Sequence, residues 1–238
     1  MLFIRSALFN LCFFLLTPVC SLLIILFRPF GLPASWFWAR LWSKGMLWLA
    51  RVICGIRVEV EGEEHFPNEP CVVMAKHQSA LETIAMPALI PSYAWILKRE
   101  LFYIPIFGWA LAAIGTIAIR RGNPREAIKQ VIEQGRARLA EKRWVVIFPE
   151  GTRSAVGTTG NYQSGGVVVA QKAGAAILPM THNAGLHWPK RGFIKHPGTV
   201  IFRFLPLIPA ETVIATKRSE LLVKLEQSIE PACRELGG

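Results

Sequence analysis

The sequence predicts an α/β fold: a mixed, largely parallel sheet flanked by helices, behind an N-terminal membrane-associated two-helix segment. Three observations carry this. Residues 6–27 bear no charge. From Ile56 onward, short β-type runs alternate with segments of helical period. Two of the apolar runs end abruptly in polar turns, at Lys76-His77 and at Pro149-Glu150-Gly151.

The elements follow in order. Twenty-two uncharged residues between Arg5 and Arg28 reach roughly 33 Å as a helix, about the hydrocarbon thickness of a bilayer. Pro18 should kink it. The apolar region is long and no small-x-small site follows, so a retained membrane segment is expected rather than a cleaved signal. Residues 34–55 are a second helix, in which tryptophans accompany Arg40, Lys44 and Arg51, an interfacial composition. Two arrangements stay open: a hairpin dipping into one leaflet, or a spanning first helix with the second in the interface. The basic residues after position 27 place the following domain on the cytoplasmic face either way. The division is therefore residues 1–55 as anchoring helices and 56–238 as the α/β domain.

Ile56 to Glu61 alternates with period two, a half-buried strand. Strands are expected at 71–76, 93–98, 115–120, 144–148, 176–181 and 199–205. Helices are expected at 79–90, after an Asn123-Pro124 start, at 165–173 and at 217–235. Residues 103–113 are apolar but broken by Pro105 and Gly108.

Composition narrows the function. Lys plus Arg is 27 and Asp plus Glu 16, a net charge of +11, with 52% hydrophobic residues. Basic and apolar together suit an anionic membrane surface or an anionic substrate. Nucleic acid is excluded because the positive charges are scattered and form no basic run. Five cysteines without paired spacing argue against a disulfide framework or a zinc site.

The chemistry concentrates at Val72-Val73-Met74-Ala75-Lys76-His77-Gln78-Ser79-Ala80-Leu81-Glu82. A strand ending at a histidine exposes an imidazole at a sheet edge, and an acid follows five residues later. On one continuous helix the two would point roughly 140° apart. They meet only if His77 precedes the helix and Glu82 lies in its first turn. Ser79 to Glu82 matches a capping box that supplies this break. The same match leaves a second role for Glu82, as a cap alone.

With Phe148-Pro149-Glu150-Gly151-Thr152-Arg153-Ser154, this stretch resembles the glycerolipid acyltransferase family, the 1-acylglycerol-3-phosphate (lysophosphatidate) acyltransferases. His77 and Glu82 match its histidine–x4–acid signature, and residues 148–154 match its third block without a change. Gly115 to Arg121 and Ile177 to Met180 resemble the second and fourth blocks, and Lys98-Arg99-Glu100-Leu101 resembles a Lys-x-Glu-Leu element. The likeness covers roughly residues 56–210. The third block is highly specific; the fourth carries little weight alone.

The resemblance implies acyl transfer from acyl-CoA or acyl-carrier protein to the sn-2 hydroxyl of lysophosphatidic acid, giving phosphatidic acid at the inner membrane. His77 would be the base and Glu82 its orienting acid. Arg153 would grip the acceptor phosphate, with Lys98 and Arg121 facing the same crevice. Gly151 and Thr152 would turn the backbone and offer donors. Glu150 would accept from the glycerol hydroxyl or hold Arg153. No metal or organic cofactor is implied. The family more often has Asp at position 82 and Asn at 76, which leaves rate and acceptor choice open. Another lyso-lipid acceptor, such as lyso-ornithine lipid, and a non-catalytic membrane-binding homologue are the competing readings. His182 and His187, with no acid at either end, read as loop histidines.

Overall fold

The structure, a computed structural model, describes residues 1–120 and 124–238. Among the described residues, seven strands form one sheet. They are β1 (Ile56–Glu61), β2 (Val72–Ala75), β3 (Tyr93–Lys98), β4 (Ile117–Ile119), β5 (Trp144–Ile147), β6 (Ile177–His182) and β7 (Gly198–Phe204). The sheet order is β1-β7-β6-β2-β5-β3-β4. Every neighbouring pair is parallel except β6 with β7. The expected mixed, largely parallel sheet is therefore present.

The central strands are buried on both faces, which is why they read as unbroken apolar runs. Val73 and Ala75 of β2 and Val146 of β5 belong to one core. That core is completed by α1 (Leu2–Leu26), α2 (Leu32–Leu49), α3 (Leu81–Leu89) and α4 (Phe107–Ala113). Val72, Met74 and Val145 point the other way, into a core filled by α5 (Pro124–Ala140), α6 (Gly165–Ala173) and α9 (Arg218–Glu235). The leucines that mark the face of the last helix, Leu221 and Leu225, are fully buried there with Ile229.

Two short helices escape the sequence pattern, α7 (Ala184–His187) and α8 (Ala210–Ala215), each too brief to show a period. The broken stretch 103–113 becomes a 3₁₀ turn at Arg99–Tyr103 and then α4. The Asn123 cap expected before α5 lies outside the described residues.

The N-terminal pair is a hairpin whose inner face is a seam of small and hydroxylated residues. Ser35 Oγ donates to Ile24 O at 3.0 Å, and Trp42 Nε1 donates to Thr17 Oγ1 at 3.1 Å. Ser43 Oγ donates to Ile84 O at 2.6 Å, fastening α2 to α3. At the other end, Lys195 Nζ donates to Asn10 Oδ1 at 2.6 Å and lies 4.2 Å from the Trp188 ring centroid. The outer face exposes Phe3, Leu8, Phe14, Leu15 and Leu22 of α1, and Phe37, Leu41 and Trp48 of α2. α1 is long and apolar enough to cross a membrane, yet 22% of its most apolar window is buried against protein. These exposed apolar side chains, with Arg5, Arg40 and Lys44 exposed among them, suit association with a membrane surface.

The interfacial reading of α2 changes in detail. Trp36 is buried against Tyr93, with ring centroids 5.0 Å apart, and of the tryptophans of this helix only Trp48 is well exposed. Arg40 donates to Pro87 O and Ile90 O at 3.1 and 3.2 Å, where α3 ends and its carbonyls lack helical partners. Its guanidinium thus binds the end of α3, while Arg40, Lys44 and Arg51 all remain exposed.

Because β7 joins the edge strand β1 to the centre, its inward ring Phe202 supports the sheet beside β6. Phe202→Ala is expected to cost about 3–5 kcal/mol of stability, read from denaturant midpoints in detergent.

Candidate active site

Parallel pairing of β2 with β5, in the register Met74↔Ile147, brings two turns side by side at the carboxyl ends of adjacent strands. In open α/β sheets this edge is where ligands bind. β2 delivers Lys76 and His77; β5 delivers Phe148 to Ser154; β3 ends at Lys98 next door.

His77 Nδ1 donates to Glu82 Oε1 at 2.6 Å. The chain breaks between them, but α3 starts at Leu81 after Ala80, one residue later than a Ser79 cap predicts. Both Glu82 oxygens accept the Ser79 N–H at 3.0 Å, and Ser79 Oγ accepts the Leu81 N–H at 3.1 Å. The two readings of Glu82 are thus one structure: the carboxylate caps α3 and holds the imidazole. The His77 ring stacks on Phe148, centroids 3.9 Å apart and planes within 14°. With Nδ1 committed to Glu82, Nε2 is the nitrogen left for a substrate.

Glu82 is completely buried. Burial alone would raise its pKa, but the imidazoles of His182 and His77 outweigh that and hold the carboxyl below its ordinary range. His182 corrects the loop assignment. It is the last residue of β6, fully buried, with Nε2 3.8 Å from Glu82 Oε2. Its Nδ1 accepts the Ala184 N–H at 3.2 Å, so Nε2 carries the proton and donates to Lys76 O at 3.0 Å. Burial pushes its pKa down, which suits this neutral form. The acid that makes its position meaningful lies 100 residues away in sequence, so no local spacing signals it.

Ser154 ties the two motifs together: its N–H and Oγ donate to His77 O at 2.8 and 3.2 Å. Glu150 departs from the expected role. Its side chain is 1% exposed, and it faces inward. Oε2 accepts the His77 N–H at 2.9 Å, and Oε1 accepts from Lys76 Nζ at 2.8 Å and Gly160 N at 3.1 Å. Its buried carboxylate does not line the cavity that Arg153 borders, so it is not placed to hold Arg153 or a glycerol hydroxyl there.

His77, Lys98, Gly151, Thr152 and Arg153 all border one cavity of about 860 Å³. Gly151 has φ +65, the left-handed turn that glycine adopts without strain. Arg121 lies outside the described residues. The sequence reading missed Lys190 and Arg191, two exposed cations on the loop before β7 that reach the same cavity. Away from the polar edge the walls are apolar: Ile24, Trp42, Trp95, Leu111 and Ile114. The N-terminal hairpin is thus part of the site. Cys71, by contrast, is fully buried and its thiol pKa is pushed up, so it offers no nucleophile.

The family model described as Acyltransferase matches residues 57–183. The human 1-acyl-sn-glycerol-3-phosphate acyltransferase alpha is 31% identical over 196 residues, 80% of this chain and 69% of its own. The chain belongs to the 1-acyl-sn-glycerol-3-phosphate acyltransferase family. A family member from Pseudomonas aeruginosa is 47% identical over 170 residues, 71% of this chain and 66% of its own length. The chloroplastic LPAT1 of Arabidopsis thaliana is 32% identical, with 43% of its length matched. The chain thus spans less than two thirds of these two relatives. In fold, the chain is similar to the crystal structure of the 1-acyl-sn-glycerophosphate (LPA) acyltransferase PlsC from Thermotoga maritima. The TM-score is 0.78 at 23% identity, over 99% of both chains. Within the acyltransferase family match fall His77, Glu82 and the whole 148–154 turn.

The depressed Glu82 pKa has a stability consequence. An ionised carboxylate favoured by the fold stabilises it above the unfolded value of about 4.3, and this is lost as pH falls through the lower folded value. Glu82→Gln should unfold about 3 kcal/mol more easily at neutral pH. Denaturant titrations at several pH values should show the gap closing in acid; a gap unchanged at about pH 3 would contradict the assignment.

Proposed function

We propose that the chain is a membrane-associated O-acyltransferase that acylates the sn-2 hydroxyl of lysophosphatidic acid to give phosphatidic acid. The donor is a cytosolic thioester, acyl-CoA or acyl-carrier protein. The observation that carries this reading is the His77–Glu82 pair at 2.6 Å, sharing one cavity with Arg153 and an apolar wall.

The steps follow from the geometry. The acceptor hydroxyl gives its proton to His77 Nε2 as its oxygen attacks the thioester carbonyl. Glu82 stabilises the resulting imidazolium through Nδ1–H, and the Phe148 ring keeps the imidazole from tilting. The tetrahedral intermediate collapses with cleavage of the carbon–sulfur bond. His77 returns the proton to the departing thiolate, so no covalent enzyme intermediate forms. Arg153 offers paired donors to the acceptor phosphate. Lys98 adds a second positive charge, and Lys190 and Arg191 widen the cationic rim. We place Arg121 in the same role.

The acyl chain lies along the apolar wall, part of which is the hairpin. An insoluble acceptor then reaches the site from the surface to which the hairpin binds. Residues 1–55 serve as the anchor and 56–238 as the catalytic domain, facing the cytoplasm at the inner membrane. The basic residues following position 27 and the cytosolic donor support this orientation.

Purified protein in detergent is expected to transfer a labelled acyl group to lysophosphatidic acid from at least one donor type. His77→Ala should reduce the rate about 10²–10⁴-fold with the fold retained by circular dichroism. Full activity in that variant discards the mechanism. Arg153→Ala should raise the KM for lysophosphatidic acid about tenfold or more and leave phosphate-free acceptors unaffected. Equal rates with phosphate-free lyso-lipids would overturn the choice of acceptor.

A further inference from the structure

Lys76, which precedes the base, turns away from the cavity. Its ammonium is buried in a cluster beneath the two motif turns, its side chain 1% exposed. Nζ donates to Glu150 Oε1 at 2.8 Å, to Thr158 O at 2.9 Å, and to both oxygens of Glu230 at 2.9 and 3.0 Å. Glu230 comes from α9, near the far end of the chain. It also accepts from Tyr162 Oη at 2.8 Å and Thr159 Oγ1 at 3.1 Å. Every polar atom of the cluster is thus engaged.

The connectivity has a direction. Glu230 fixes the ammonium, the ammonium fixes Glu150, and the other oxygen of Glu150 accepts the backbone N–H of His77 at 2.9 Å. On the opposite side of the same peptide stretch, His182 donates to Lys76 O and Ser154 donates to His77 O. The backbone beneath the imidazole is therefore held at successive polar groups, and one hold depends on a helix 154 residues away. Burial alone would depress the pKa of Lys76, but the two carboxylates reverse this and keep the ammonium charged. One cation faces two buried anions, so removing it strands two charges.

We propose that Lys76 is a positioning residue of the acyl-transfer site: through Glu150 it sets the His77 backbone, making the C-terminal helix part of the frame that aims the base. The inference rests on the acyl-transfer reading above. It separates from a merely structural staple because positioning affects the chemical step more than ground-state binding.

The test uses the full chain in detergent. Wild type, Lys76→Met, Glu230→Gln and the double variant Lys76→Met/Glu230→Gln are compared. Four quantities are read: kcat, KM for lysophosphatidic acid, Tm, and the low-field Nδ1–H proton resonance of His77 without substrate. Lys76→Met is expected to lose about 10²-fold in kcat, with KM changed less than about threefold and the His77 resonance shifted. The double variant removes one of the two stranded charges. Its Tm should return toward wild type while kcat stays low, because Glu150 still lacks its clamp. Recovery of kcat in step with Tm would show a staple and overturn the proposal. So would wild-type kcat with an unshifted resonance in Lys76→Met. If Lys76→Met does not fold, Glu230→Gln decides, since it retains the cation and loses one arm. A several-fold fall in kcat at constant KM supports the proposal, and an unchanged kcat overturns it. If wild type acylates no lysophosphatidic acid, the functional reading fails instead. The His77 resonance then still reports whether Lys76 positions the imidazole.

Discussion

The side-by-side parallel pairing of β2 and β5 is the constraint on which the site depends. Two turns from strands paired at an offset of 73 residues leave the sheet at the same edge and are then stitched to each other through the backbone of one histidine. Its N–H goes to Glu150 and its carbonyl takes Ser154. The imidazole is thus aimed by main-chain groups of the strand ends, which are more rigid than loops. The flanking layers exist to keep these central strands dry on both faces.

The electrostatics follow from that dryness. The buried carboxylate of Glu82, the buried neutral imidazole of His182 and the buried ammonium of Lys76 with its two acids pack around the His77 turn. Each is costly in isolation and tolerable only because its hydrogen bonds are filled. Glu82 carries two tasks with one side chain, binding the Ser79 N–H at the start of α3 and orienting the His77 imidazole. An extra methylene relative to aspartate does not prevent this, because the helix start lets the longer chain fold back onto Ser79. Arg153 and Lys98 border the cavity, and among the described residues neither forms an ion pair with a carboxylate within 4.0 Å.

The parts legible in sequence were those with local signals. The capping box announced the break that brings His77 to Glu82, and the apolar runs announced the central strands, with ends shifted by a residue or two. The 148–154 turn announced Gly151, Thr152 and Arg153 at the cavity. The parts that were illegible depend on long-range pairing. His182 has no acid near it in sequence, yet β6 lies beside β2 and carries it to Glu82. Glu230 reads as a solvated charge on an amphipathic helix, although it is buried under the site. Glu150 turned inward because Lys76, fully buried beside it, needs a carboxylate partner more than the half-buried Arg153 does. The bonds from Arg40 to the last carbonyls of α3 were likewise hidden, because tertiary packing alone contributes them.

The Lys195 cage joins α1 to the loop before β7, and the same hairpin supplies Thr17, Ile24 and Trp42 to the cavity wall. Trimming the chain at its start to gain water solubility would therefore not release an intact catalytic body. It would strip an amide from a caged ammonium, open one core to water and unroof the cavity. Extraction conditions matter for the same reason: an amphiphile that pries the hairpin loose unmakes the pocket while leaving the sheet standing.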